Sequence, residues 1–356
     1  MHGLEGVGGF IEPFPPSVSR AARPERREVE NVEVVETTHL KQVDSTNEHG
    51  SNYGAVILPL LRFLHRMHIP VLLNEVMEAL GPRPGKNFAD GTLGHGGHAA
   101  EILKRTAPNG RLLGIERDPR NLVVAQERLA FAGLRAVCVR GSYADLVGMA
   151  SANGFDEFDG ILLDLGFSSA HVDDSTRGFS FMGDGPLDMR YDPEQELTAA
   201  TIVNSWSKED LAQLLRVYGE EPQAARMATC LVEARAHEPI VRTVQLADII
   251  LATIPRSGKT HPATRTFQAL RIAVNDELGE LERTLPAIVR LLAPGGRLAV
   301  ISFHSLEDRL VKKFLLSCSA LQIITKKPIT PSDEEQKNNP RSRSAKLRVA
   351  QKNAGT

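Results

Sequence analysis

From Leu72 onward the apolar positions of the chain fall into two alternating rhythms. Leu72, Val76, Ala79 and Leu80 recur at i, i+4, i+7 and i+8, which predicts an amphipathic helix. Short apolar runs follow at Asn87 to Ala89, Arg111 to Ile115, Ala136 to Val139, Ile161 to Leu163 and Leu298 to Ile301, separated by helical patterns. Apolar runs of this kind are typical of parallel strands buried on both faces, so the pattern predicts a doubly wound α/β sheet. The helix before the last run carries Leu281, Leu285, Ile288, Val289 and Leu292 on one face, with Pro294-Gly295-Gly296 expected to end it. After residue 312, Leu321 to Ile324 and Lys346 to Val349 read as a closing pair of strands joined by a polar loop.

One crossover is far too long. Asp164 and Leu298 are separated by 133 residues, whereas linking parallel strands takes about a dozen. Within the excess, Ser207-Lys208-Glu209-Asp210 resembles a capping box ahead of Leu211, Leu214, Leu215 and Tyr218, with Gly219 as the stop. Further helical patterns run through Ala225, Ala228 and Val232, and through Leu246, Ile249 and Ile250. Residues 176–277 are therefore expected to form an inserted helical subdomain, with 67–175 and 278–356 building the sheet domain. Residues 1–66 lack apolar periodicity and mix early prolines with Glu25, Glu28, Glu30, Glu33 and Glu36, the composition of a disordered extension. Those acids argue against a transit peptide, and Met67 is a candidate start, which intact mass would settle.

Composition narrows the class. Among 356 residues, 42 Lys and Arg against 44 Asp and Glu give a net charge of -2, so a basic nucleic-acid coat is excluded but a local basic patch is not. Cys138, Cys230 and Cys318 are isolated, which fits a reducing, cytoplasmic location better than a disulfide framework. No segment reaches the roughly 18 consecutive apolar residues of a spanning helix, so no membrane insertion is expected.

The first strand runs into Asp90-Gly91-Thr92-Leu93-Gly94-His95-Gly96-Gly97-His98 before a helical stretch. Glycines at such a turn let the backbone approach a ligand. Gly94-x-Gly96-x-x-Ala99 fits a dinucleotide loop only loosely and equally fits a structural turn. Glu116 ends the second strand about 20 residues on, where a carboxylate accepts hydrogen bonds from ribose hydroxyls; a solvated acid is the alternative. With no Gly-x-x-x-x-Gly-Lys-Ser/Thr the triphosphatase reading loses support, while NAD and a nucleoside without pyrophosphate both stay open. Asp164-Leu165-Gly166 lies at the carboxyl end of the fourth strand, where open α/β sheets bind ligands. Amino-group methyltransferases often carry Asp/Asn-Pro-Pro-aromatic there, and this chain lacks both prolines; a capped turn is the lesser alternative.

Arg177 to Met182 and Asp184 to Arg190 form a Gly- and aromatic-rich run that reads as a lid or as a plain loop. From Ile249 to Asn275 there is no acid, while Arg256, Lys259, Arg265 and Arg271 supply charge, for which a solvated face is the commoner outcome; with Arg341, Arg343, Lys346 and Arg348 in the tail, two basic segments favour a polyanionic partner. His304 lies in Ser302-Phe303-His304-Ser305-Leu306-Glu307-Asp308-Arg309, without a hydrolase elbow, and the histidines show no metal-ligand spacing, so no metal is expected.

These motifs, together with His68 to Leu72, His261 to Gln268 and Asn339 to Ser344, resemble the bacterial small-subunit ribosomal RNA cytosine-N4 methyltransferases called RsmH or MraW, over about residues 68–350 in order. The resemblance implies a class I S-adenosyl-L-methionine-dependent methyltransferase fold with an inserted helical domain. Its implied substrate is a cytidine of 16S rRNA in the decoding region of the small ribosomal subunit, with no obligate protein partner. The implied cofactor contacts are Gly96, Gly97, His98, Glu116, Tyr143, Asp164 and His171; the family commonly has Asp, Phe and Gln where Glu116, Tyr143 and His171 stand. Asp164 is the expected catalytic residue, holding the target amine. Phe179, Phe181, Arg190, Arg256, Lys259, Arg265, Arg271 and His304 are the expected RNA-side residues. A DNA cytosine-N4 methyltransferase, an NAD-dependent oxidoreductase and a noncatalytic ribosome-assembly factor are the competing readings.

Overall fold

The computed structural model describes residues 69–166, 169–254 and 261–355. The expected N-terminal extension, Met67, and the candidate RNA contacts Arg256 and Lys259 lie outside these residues. The chain opens with α1 (Leu73–Leu80) and β1 (Phe88–Asp90), then α2 (Gly97–Arg105), β2 (Leu112–Glu116), α3 (Pro119–Leu129) and β3 (Ala136–Arg140). It continues through α4 (Leu146–Ala152) and β4 (Phe158–Asp164) to α5 (Ser169–Asp173). Five helices follow, α6 (Ala199–Ser205), α7 (Lys208–Val217), α8 (Ala224–His237), α9 (Thr243–Thr253) and α10 (Ala263–Asn275), and α11 (Glu277–Leu291) leads into β5 (Leu292–Ser302). After α12 (Ser305–Ser317) come β6 (Leu321–Ile323), α13 (Asp333–Asn338) and β7 (Lys346–Lys352).

The seven strands form one sheet in the order β3-β2-β1-β4-β5-β7-β6. The first five are parallel, and β7 slots antiparallel between β5 and β6. The chain order reverses between β1 and β4, whose carboxyl ends carry Asp90 and Asp164. Successive strand residues point to opposite faces, so Phe88, Leu112, Leu162, Ala299 and Ile301 pack with α1 and α2 on one side. Ala89, Leu113, Ile161, Leu163, Leu298 and Val300 pack with α4, α11 and α12 on the other. Each face buries its own core, which is why the strand segments read as unbroken apolar runs.

The crossover from β4 to β5 occupies residues 165–291 and holds the helices expected from periodicity. Ser207 caps α7 by accepting the Asp210 N–H at 3.0 Å, a device worth about 1 kcal/mol. Helix α8 packs on α7 and α9, and α10 packs on α6, α7 and α9. Helix α10 was read only as an acid-free basic stretch, yet Phe267, Leu270 and Val274 on it are buried. A second difference concerns Pro294-Gly295-Gly296. Helix α11 ends earlier, at Leu291, and the Pro-Gly-Gly segment lies within β5, where pairing jumps from Phe158↔Leu292 to Gly160↔Arg297. Glycine and proline here make a strand irregularity rather than a helix stop.

Candidate functional site

A cavity opens over the carboxyl ends of β1, β2 and β4, lined by Gly94, Gly97, His98, Glu116, Tyr143, Asp164 and His171 among others. It thus gathers six of the seven expected cofactor contacts. Gly96 is the exception: it does not line the cavity but makes the turn into α2, with φ 72°, a conformation that favours glycine. Gly97 has no room for a larger residue, since a Cβ there would stand 2.4 Å from Cγ of Pro70.

Glu116 ties the loop to the sheet, its carboxylate accepting the N–H of Gly94 and the N–H of Asp118, each at 2.8 Å. Burial pushes its carboxyl up to about 7, against those hydrogen bonds. Asp90 and Asp164 are likewise pushed up to about 7, both chiefly by burial, and Asp164 additionally by the neighbouring Asp90 charge. Thr92 links the two: its hydroxyl accepts the Asp164 N–H at 2.6 Å, and its own N–H donates to Asp90 at 3.1 Å. Oδ1 of Asp164 is buried with no hydrogen-bond partner among the described residues.

His171 is anchored from behind. Its Nε2 meets Asp118 at 2.9 Å, and its ring stacks on Phe179 at 4.9 Å and tilts against Tyr191 at 5.2 Å. Burial pushes Asp118 up, but hydrogen bonds from His171 and Arg177 outweigh it and hold the carboxyl well below the usual range. An ionised Asp118 only accepts, so Nε2 of His171 carries the proton and Nδ1, buried and unpartnered among the described residues, is an acceptor. Asp118 is not among the site residues expected from the sequence. The signal was Asp118-Pro119, an N-cap followed by proline at the first helical position, and Asp118 does cap α3.

The expected RNA-side residues divide. Phe181 is half-buried against His261 and Phe267, and Arg265 is 51% exposed, near Glu221 at 3.7 Å. Four others are engaged inside the protein, because each has a nearer partner than solvent. Phe179 is buried in the stack with His171 and Tyr191, and Arg190 grips Asp188 at 2.7 and 2.8 Å. Arg271 is paired with Glu277 at 2.9 Å, which with its other anionic neighbours outweighs burial and raises its already high pKa. His304 caps α12, its Nδ1 accepting the Glu307 N–H.

Glu277, His304 and Glu307 bring ligand-type atoms within 4.8 Å of one another, which raises the question of a metal ion. With Nδ1 of His304 turned to a backbone N–H, the neutral ring carries its proton on Nε2, facing Glu307 at 3.1 Å. That tautomer offers a donor, not a metal ligand.

The family model described as the MraW methylase family matches residues 65–353 of the chain. The chain belongs to the MraW methylase family. Three relatives named ribosomal RNA small subunit methyltransferase H are similar to it: 48% identical in Heliobacterium modesticaldum and 49% in Geobacter sulfurreducens, each covering 80% of this chain and 98% of the relative. The third, from Deinococcus radiodurans, is 51% identical over 81% of this chain and 90% of its own. Membership in the MraW methylases decides between the NAD and nucleoside readings that the glycine loop left open. The fold is that of the class I methyltransferases, and the cofactor is S-adenosyl-L-methionine.

The residues present suit that cofactor. Buried carboxyls at 116 and 164 line the cavity, with Asp90 buried beside Asp164, and each is disfavoured as an anion by its surroundings, so the site gains from a cationic ligand such as a sulfonium. Replacing Glu116 with Ala removes one of the three and frees the glycine loop. Calorimetry is expected to show S-adenosyl-L-methionine affinity falling about 10- to 100-fold, the loss of one or two charge-assisted hydrogen bonds.

Proposed function

We propose that this MraW methylase transfers a methyl group from S-adenosyl-L-methionine to the exocyclic N4 of a cytidine in the decoding region of 16S rRNA of the small ribosomal subunit. The single observation that carries the amine assignment is Oδ1 of Asp164, a buried acceptor without a partner among the described residues, at the strand end where the ligand cavity opens. The names of the relatives support ribosomal RNA of the small subunit as the substrate.

The cofactor supplies an electrophilic methyl on sulfur. N4 of cytosine is a weak nucleophile because its lone pair is delocalised into the ring, so the protein's main task is alignment, worth several kcal/mol. Asp164 Oδ1 accepts one N4–H and turns the remaining lone pair toward the methyl. Gly94, Gly97, Glu116, Tyr143 and His171 hold the nucleoside part of the donor. A stacked base cannot enter such a cavity, so the cytidine is flipped out, at a cost of a few kcal/mol. The helical segment 176–277, with Phe181 and Arg265, receives the RNA, and Arg341 at the cavity, 2.9 Å from Asp173, is placed to meet a phosphate. Mass spectrometry of 16S rRNA from cells with and without the gene tests the reading. The N4-methylated cytidine should vanish without the gene, and its persistence overturns the proposal. Comparing small subunits with duplex DNA as methyl acceptors separates the DNA alternative.

A further inference from the structure

An amine that takes a methyl must also lose a proton. Nε2 of His98 lies 2.9 Å from the carbonyl oxygen of Val71. A carbonyl only accepts, so Nε2 keeps its hydrogen and Nδ1 is the nitrogen that gains or releases a proton. Nδ1 stands 3.9 Å from Oδ2 of Asp164. The same residue lines the cavity, and its Oδ1 is buried. Asp164 therefore bridges the amine site and an imidazole that is 6% exposed.

We infer that His98 is the terminal proton acceptor of the methyl transfer, reached through the carboxyl of Asp164. The inference rests on the amine reading proposed above. In the step, the N4–CH3 bond forms as the S–CH3 bond breaks, and sulfur keeps the bonding pair. The amine proton moves to Oδ1 of Asp164 while the proton on Oδ2 passes to Nδ1 of His98. The carboxyl ends neutral as it began, and the ring ends as an imidazolium. The 3.9 Å gap closes to a hydrogen bond with a shift of about 1 Å. The surroundings favour both ends of the step. Before transfer, the N-terminal end of α2, on which His98 sits, disfavours a cationic ring. Afterwards the imidazolium keeps Nε2–H on the Val71 carbonyl and gives Nδ1–H to Oδ2 of Asp164. Because burial and the Asp90 charge lift the Asp164 carboxyl to about 7, its neutral form is well populated near neutral pH. His98 acts on the amine through Asp164 and is a positioning residue.

The test is nitrogen NMR of the histidine rings in the full chain, with His98 assigned by its loss in His98→Gln, followed from about pH 5 to about pH 9. Wild type should show His98 with hydrogen on Nε2, and the pH at which Nδ1 takes its proton should fall by about one unit in Asp164→Asn. A response unchanged by that substitution overturns the inference, whether or not the Gln variant folds well enough for assays. In single-turnover transfer with donor saturating, His98→Gln should be slowed about 100-fold. Wild-type speed in that variant overturns the inference as well. If wild type itself leaves the cytidine amine unmethylated, the proposed function fails, an outcome distinct from either of these.

Discussion

Asp164→Ala is expected to lower the single-turnover rate of methyl transfer by about 10³-fold or more while the protein stays folded, because it deletes both the amine's acceptor and the first station for its proton. The effect should appear in the chemical step, measured with donor and small subunits saturating. Asp164→Asn separates the two contributions: an amide oxygen still accepts a hydrogen bond from N4 but takes no proton, so its rate should fall between alanine and wild type. A further sign distinguishes this from general damage. The folded-state carboxyl is raised to about 7, above its ordinary range, so its neutral form is the one the fold prefers. Wild type therefore loses stability as pH rises from about 4 to about 7, and no further above that. The Asn variant has no such loss. Thermal melts without cofactor should show its advantage over wild type growing across that window and then levelling. A flat difference, or full turnover in Asp164→Ala, would remove Asp164 from the mechanism.

Much of this site was legible in the chain itself. The apolar runs located all seven strands, because buried strands of a two-faced sheet tolerate few polar residues, and strand ends gave Glu116 and Asp164 their places. Less legible was everything set by partners distant in sequence. Nothing local to Arg271 announces that Glu277 claims it, and nothing near Arg190 or Phe179 separates a surface role from an internal one. Basic and aromatic residues read alike in either setting, so a charge count names Arg271 and only packing shows its pairing with Glu277. Pro294-Gly295-Gly296 shows the same limit for backbone: the residues that stop helices also make strand irregularities, and pairing with β4 chose the second. At Gly97 the need for glycine does have a physical cause in the fold, since Pro70 leaves no space for a side chain.

Asp118→Ala should destabilise the protein by about 3–5 kcal/mol, read as a lowered urea midpoint with an unchanged slope. Asp118 is 1% exposed and accepts hydrogen bonds from His171, from the Arg177 guanidinium and from the Arg120 N–H. Arg177 itself is 6% exposed and also donates to the carbonyls of Arg190 and Tyr191. Deleting the carboxylate leaves that guanidinium buried without its counter-charge and removes the cap of α3, which costs about a further 1 kcal/mol. Asn at 118 retains acceptors for the cap and for Arg177, so its loss should be smaller. Because the hydrogen bonds outweigh burial and hold the Asp118 carboxyl below its ordinary range, its contribution is fully present above about pH 4 and lost as pH falls through the depressed value. The gap between wild type and Asp118→Ala should thus be constant from about pH 5 to about pH 8 and shrink in stronger acid. Cofactor affinity should fall with stability, since the Asp118 carboxylate holds His171 at the cavity. One residue so connects the donor's binding loop to the aromatic stack of Phe179 and Tyr191 that begins the inserted segment. If calorimetry shows affinity intact in a destabilised Asp118→Ala, that connection carries packing energy alone and transmits nothing to the cofactor.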